Sequence, residues 1–223
     1  YSHAGGVDSF AAGIGNSSSG RGAQAGQAVA IGNNAYVQAT ESIGLGYYAT
    51  IGSSGLRSVA LGQSYANGNT SLAAVIANNT SSYGALGANT IAMGQRAKAS
   101  DGTAVAIGQD ATASQGGYAI GLESVASGTQ SFAIGGATDA TAAYATALGR
   151  GAQATHQGAT AVGYNAATST TNQVALGASG HAVRVSGAYT LPTSDGSANQ
   201  VLTTNGSGAV SFADVGGPSA YTW

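Results

Sequence analysis

The sequence contains no cysteine, only two prolines, one tryptophan and three phenylalanines, and just 6% of its 223 residues are charged. Each shortage excludes something. Without cysteine there are no disulfides and no thiolate metal site, although the compartment stays open. An average domain carries about 25% charged residues. Here six Lys and Arg stand against eight Asp and Glu, a net charge of −2, so there is no basic surface for nucleic acid. Much of the 43% hydrophobic fraction is alanine, and large aliphatic side chains are too sparse for an ordinary core. No apolar run approaches the roughly 20 residues of a membrane span, and no charged leader with an apolar core opens the sequence. Export or anchoring signals are therefore expected to lie outside this segment.

What the chain has instead is glycine, 37 of them, with abundant Ala, Ser and Thr. Disordered segments are poor in β-branched residues and rich in charge and proline. This chain spaces its Ile, Val and Leu regularly. The stretch Tyr118, Ala119, Ile120, Gly121 returns as Phe132, Ala133, Ile134, Gly135. Anchoring each copy on the residue before the glycine gives Ile14, Ile31, Leu45, Leu61, Ile76, Met93, Ile107, Ile120, Ile134, Leu148, Val162 and Leu176, in steps of 17, 14, 16, 15, 17, 14, 13, 14, 14, 14 and 14. The residue after the anchor is glycine in eleven of the twelve, Ala77 being the exception. The residue before it is Ala or Gly except at Val75.

The phrase is therefore large, small, large, Gly. Alternation with period two places both large side chains on one face of a strand and the small one on the other. The glycine reads as a turn that needs positive φ or has no room for a Cβ. A second phrase of small residues follows, as at Ala111 to Ser114 and Ala152 to Thr155. Two short strands and two turns in fourteen residues make one coil of a narrow parallel β-solenoid. Twelve coils stacked at about 4.8 Å give a rod of roughly 50 Å. The small residues suit the narrow interior, which leaves the large ones as an outer apolar stripe. Such a stripe calls for a partner surface, and the simplest partner is the same chain about a symmetry axis. A wider monomeric solenoid with the large residues inside is the alternative. The irregular steps place insertions at Ser17–Gly26, Tyr47–Arg57, Tyr65–Leu72 and Asn78–Thr90, with Leu86-Gly87 as an out-of-register strand inside the last.

The phrases Ser131-Phe-Ala-Ile-Gly, Ser58-Val-Ala-Leu-Gly and Ala104-Val-Ala-Ile-Gly, with their Ala-rich partner phrases, resemble the YadA-like head repeats of trimeric autotransporter adhesins over about residues 10–180. The resemblance implies a left-handed parallel β-roll, three chains around an axis and an adhesive role. The neck, heptad stalk and membrane barrel to which such heads lead are not within these residues. The segment from Gly187 to Gly217 instead looks like a small module of phage tail fibres, where head repeats of this kind also occur. Its Val201–Thr204 and Ala209–Phe212 read as a hairpin joined by Asn205-Gly-Ser-Gly, after an extended entry at Tyr189 to Pro192.

The expected fold class is thus all-β: a trimeric β-roll over residues 1–182, a hairpin module over 183–215 and a linker over 216–223. The charged residues offer one constellation. Arg96, Asp110 and Glu123 sit three residues past consecutive anchors. Stacking puts the two carboxylates roughly 5 Å apart, a separation that fits a retaining glycosidase or a calcium site. The preferred reading is a surface charge ladder in which Arg96 compensates Asp110 and Glu123 is solvated, since a narrow roll has no cleft to desolvate an acid. His3, His156 and His181 share no column and read as solvated. Gly13-Ile-Gly imitates part of a dinucleotide loop without the βαβ unit that loop needs. Sequons at Asn16, Asn69, Asn78, Asn79 and Asn205 read as incidental. Tyr47, Tyr48, Tyr65 and Tyr83 lie beside the irregular coils, where they either stack on sugars or cover coil ends.

No catalytic residue, metal site or cofactor is expected. The first functional reading is a homotrimeric receptor-binding segment of a phage tail fibre, extracellular, without nucleic-acid or membrane-inserted parts. The alternative is the head of a bacterial trimeric adhesin or a subunit of an extracellular filament. A glycan-degrading fibre using Asp110 and Glu123 is the third.

Overall fold

The computed structural model describes residues 3–13, 20–74, 82–185 and 189–215. Among these the chain is all-β and has no helix. Twelve three-residue strands, from Phe10–Ala12 to Val174–Leu176, form one parallel sheet. Ten two-residue strands, from Gly22–Ala23 to Gln153–Ala154, form a second. The chain alternates between the two sheets, so each visit to both is one coil of a parallel β-solenoid. Pairing keeps like over like: Ile107, Ile120, Ile134 and Leu148 are register partners in turn, as are Val105, Tyr118, Phe132 and Thr146.

The interior is built from methyl groups. Ala106, Ala119, Ala133 and Ala147 of the first sheet face Ala113, Ala126, Ala140 and Ala154 of the second, all fully buried. The flanking large residues point outward, with Ile120, Ile134 and Leu148 exposed, so the wider solenoid with an aliphatic interior is excluded. Where the interior does take a large side chain, glycine yields the space. Val37 and Ile51 are the largest fully buried residues. A Cβ on Gly44 would come within 2.7 Å of Val37 Cγ2, and one on Gly55 within 2.7 Å of Ile51 Cγ2. Each buried methyl contributes only about 0.8 kcal/mol, so so thin a core leans on the backbone ladder. Gly121 N–H donates to the Ile107 carbonyl and Gly135 N–H to that of Ile120, both at 2.8 Å.

Polar groups enter this interior as hydroxyls, some donating to a nearby carbonyl, as Ser124 Oγ does to Gly121 at 3.0 Å, and some linked from coil to coil. Ser42 Oγ donates to the Gly55 carbonyl at 2.8 Å and accepts from Ser58 N–H at 3.1 Å. Ser58 Oγ repeats the arrangement one coil on, with the Gly68 carbonyl and Ser71 N–H. Ser131, in the same column, has no partner for its buried hydroxyl among the described residues.

Two kinds of positive φ turn the chain. The glycines that end the outer strands, such as Gly108, Gly121, Gly135 and Gly149, lie at φ of 123–139°, a region reserved for glycine. There the next coil also presses in: a Cβ on Gly121 would sit 2.2 Å from the Gly135 carbonyl oxygen. Both reasons for the glycine column therefore apply. The corners are different. Arg96, Asp110, Glu123 and Gln130 lie at φ of 51–57°, the left-handed region that other residues enter at modest cost.

The register corrects part of the repeat count. Ala12 pairs with Ile31, and Ala74 with both Leu61 and Met93. Ala12 and Ala74, not Ile14 and Ile76, thus occupy the anchor position. Ile14 and Ile76 fall outside the described residues. Where the anchor is itself alanine, the repeat carries no large residue at that position to mark it. Two coils, Ala12 to Ile31 and Ala74 to Met93, are 19 residues long. Their sequences match at a spacing of 62, Ile14 with Ile76, Asn16 with Asn78 and Ser19 with Ser81, residues that lie outside the described ones. Tyr65–Leu72 holds no insertion, because the coil from Leu61 to Ala74 is short. The surplus in Tyr47–Arg57 is the turn closed by Gly55 N–H on the Gly52 carbonyl at 2.9 Å. Leu86-Gly87 is not a stray strand: Gly84–Ala85 just before it pairs in register with Lys98–Ala99.

Beyond the roll, Arg184–Val185 pairs antiparallel with Tyr189–Thr190, and Gln200–Thr204 with Val210–Asp214. The hairpin turn is held by Asn205, whose Oδ1 accepts from Ser207 and Ala209 N–H at 2.8 and 3.1 Å. Residues 216–223, read as a linker, lie outside the described residues.

Candidate binding surfaces

Three features of the roll surface carry chemistry: two corner columns and the outward face of the twelve-stranded sheet. The left-handed turn after each outer strand lifts its corner side chain away from the roll, which is why charged residues settle there. Arg96 and Asp110 meet on this corner as a bidentate ion pair, Nε and Nη2 on the two carboxylate oxygens. The Arg96 hydrogen bonds hold the Asp110 carboxyl below its ordinary range, and Asp110 raises the guanidinium in return. Glu123 follows on the next coil, exposed, its backbone N–H on the Gln109 carbonyl at 2.8 Å. The charge ladder read from the spacing is thus an arginine–aspartate clamp with an exposed glutamate beside it. Among the described residues no three His, Asp or Glu side chains gather as a metal site. On the opposite corner Arg57 and Glu41 approach to 3.9 Å.

The histidines lie apart, as their columns imply. His156 Nδ1 meets Thr168 Oγ1 at 3.4 Å. His181 Nδ1 accepts from Ala178 N–H at 3.2 Å, and its ring stacks 6.4 Å from that of Tyr164. Of the four tyrosines singled out, Tyr47 and Tyr48 join. Their rings are 4.5 Å apart and nearly perpendicular, with Tyr47 57% exposed. Tyr65 and Tyr83 do not join them. Two residues that the sequence pattern passes over complete this group. The Arg21 guanidinium lies 5.1 Å from the ring centre of Tyr48 and 5.9 Å from that of Tyr36. The advance signals were that Arg21 is one of six cations in the chain and lies in the irregular stretch Ser17–Gly26.

The outward sheet face is apolar along its length. Ile31, Ile43, Leu45, Leu61, Met93 and Ile120 are all exposed on it. Tyr118 and Phe132, register partners on adjacent coils, stack with ring centres 4.9 Å apart and planes 6° off parallel. Beside them runs an open groove of about 480 Å³, lined also by Thr103, Gln130, Tyr144 and Thr146. Part of its aromatic lining comes from the two repeats in which Tyr118 and Phe132 occupy the column that Val holds in several others.

The coil architecture has a known counterpart. The model of the YadA head domain repeat matches residues 23–49, 85–111, 113–138, 140–166 and 157–179, just over half of the sequence. The chain belongs to the YadA head repeat family. A similar solved structure is that of the collagen-binding domain of the Yersinia adhesin YadA, 23% identical, with 79% of this chain and 75% of that one covered at a TM-score of 0.45. No curated protein sequence matches the chain. The YadA head repeats end, by these matches, before the hairpin begins.

Proposed function

We propose that the chain is the adhesive head of a bacterial surface fibre, working as a homotrimer at or outside the cell surface by multivalent attachment and not by catalysis. The observation that carries this is the apolar face. A soluble rod that presents one continuous row of Ile, Leu, Val, Met, Tyr and Phe on a single sheet face needs that face covered. A cyclic assembly with parallel axes covers it along the whole length. Membership of the YadA head repeat family supports both the trimer and the adhesive role, and with them the left-handed roll of the resemblance. Three copies of a weak site held in fixed geometry then gain avidity without any new contact. The roll over residues 1–182 is the head, and the hairpin over 183–215 is a separate module.

The hairpin favours a second reading, the receptor-binding segment of a phage tail fibre. Nothing in the family match extends to that hairpin. The geometry speaks against the glycan-degrading reading: both Asp110 oxygens are engaged by Arg96, which leaves no free nucleophile, and Glu123 lies exposed, where nothing desolvates it into a general acid.

Light scattering after gel filtration is expected to give three times the 21.3 kDa chain mass, and the purified chain is expected to coat cells of the adhered surface saturably. Immunogold labelling of the source material separates the two readings. Gold on cell envelopes or filaments supports the adhesin, and gold on phage tails overturns it in favour of the fibre. A monomer in solution would sink the trimer.

A further inference from the structure

The arginines of the roll are held in two ways. Arg57 and Arg96 face carboxylates, and these are the ion pairs found among the described residues. Arg21 faces rings instead. It is half-buried, its guanidinium set against Tyr36 and Tyr48, and Nη1 donates to the Asn34 carbonyl at 3.2 Å. The rest of its fork has no acceptor among the described residues. Exposed Tyr47 stands edge-on to Tyr48 beside it.

Ring contacts on a guanidinium fix its orientation and strip part of its hydration without neutralising it. A fixed planar fork with spare donors matches a carboxylate, which takes two parallel N–H bonds. The neighbouring Tyr47 ring offers a flat apolar surface with a polar tip. The complement of the two together is a carboxylate carried on a ring with an apolar C–H face, which is an acidic sugar. A run of acidic residues fits less well: the corner supplies one cation, and the chain as a whole is net negative, so several clustered carboxylates would be repelled. We propose that Arg21, Tyr47 and Tyr48 form a subsite for the carboxylate-bearing terminal sugar of a surface glycan. This rests on the adhesive reading of the roll and names the ligand class for it. Arg150, which lies over the single ring of Tyr164 at 6.0 Å, is the internal comparison.

The test is titration calorimetry and saturation-transfer NMR on the full 223-residue chain. The probes are sialyllactose, a glucuronate-terminated disaccharide, neutral lactose and a hexaglutamate peptide. Saturable binding of either acidic sugar is expected, weakening with added salt, and which of the two binds identifies the source of the carboxylate. Arg21→Gln is expected to weaken binding roughly tenfold or more, the worth of a lost charge-assisted pair, while Arg150→Gln leaves it unchanged. Tyr47→Ala removes an exposed side chain and no core contact, and is expected to weaken binding about threefold to tenfold with the charge intact. This second variant keeps the test decisive should Arg21→Gln fold poorly. Undiminished binding in Tyr47→Ala and Arg21→Gln, equal binding of lactose, binding of hexaglutamate alone, or no binding of any probe overturns the subsite. Adherence to cells without any acidic-sugar binding ends the subsite and leaves the adhesive head standing. Sugar binding by a chain that neither trimerises nor adheres does the reverse.

Discussion

Replacing Gly121 by alanine separates two meanings of glycine in this roll. Gly121 lies at φ 139°, and an added Cβ would meet the carbonyl oxygen of Gly135 on the next coil at 2.2 Å. The backbone region alone costs a non-glycine residue about 1–3 kcal/mol. Relieving the contact requires the coils to part against their ladder, and overpacking of this kind costs about 1–3 kcal/mol more. The sum, about 2–6 kcal/mol, corresponds to a fall in melting temperature of roughly 5–20 °C for a chain of this size. Gly116 is the matched control, in the same coil. It lies at φ 74° beside the corner column, where an added Cβ would meet Thr103 Oγ1 at 3.3 Å and otherwise only ordinary contacts at 3.9 Å, Gln130 Cγ and the Gly102 carbonyl oxygen. The corner already holds Thr103 at φ 64° and Gln130 at φ 51°. Gly116→Ala is therefore expected to cost about 1 kcal/mol or less, since the unfolded chain also loses freedom. Circular dichroism melts report the global change, and hydrogen exchange at the amides of Ile107 and Ile134 reports local opening, which matters in a quasi-one-dimensional stack. Equal losses in the two variants would refute the claim that close approach between coils, and not turn geometry alone, demands glycine in that column.

The buried hydroxyls give a pair of opposite sign. Ser131→Ala removes an unpartnered buried group and is expected to raise stability by about 1 kcal/mol, whereas Ser58→Ala breaks the serine ladder and costs about 1–3 kcal/mol; thermal melts of both read the difference. Ala133→Leu forces a larger side chain between Ala119 and Ala147 in a fully closed interior, and a loss of at least about 1–3 kcal/mol is expected in denaturant titration. Asp110 is held below its ordinary pKa by Arg96, so its contribution is present above the ordinary carboxylate range and disappears as pH falls through the lowered value. Wild type and Asp110→Asn are expected to differ slightly at neutral pH and low salt, and to converge in strong acid or high salt. Ile134→Glu places a charge on the exposed sheet face without touching the interior; if the proposed trimer seals that face, light scattering is expected to show dissociation while the far-ultraviolet spectrum is kept.

The period of the roll, its parallel strands, the alanine interior and the outward Ile and Leu were all legible along the chain. Strand alternation at period two ties neighbouring side chains to opposite faces, so a repeated phrase of large, small, large, Gly already says what goes inside and what ends the strand. Register could not be read where the repeat loses its large residue. Ala12 and Ala74 are anchors only because backbone ladders pair them with Ile31 and Met93, and a ladder is indifferent to side-chain size. The site residues divide in the same way. Asp110 and Glu123 were placed on one corner by their offsets, since coil position is a local property. The same offsets paired Asp110 with Arg96, one coil apart in the same column. That Arg21 turns to Tyr36 and Tyr48 while Tyr65 and Tyr83 stay apart depends on where long side chains from different coils reach. Periodicity decides which corner a side chain leaves from. A partner outside its own column is chosen in space, by ring contacts between coils that spacing alone does not resolve.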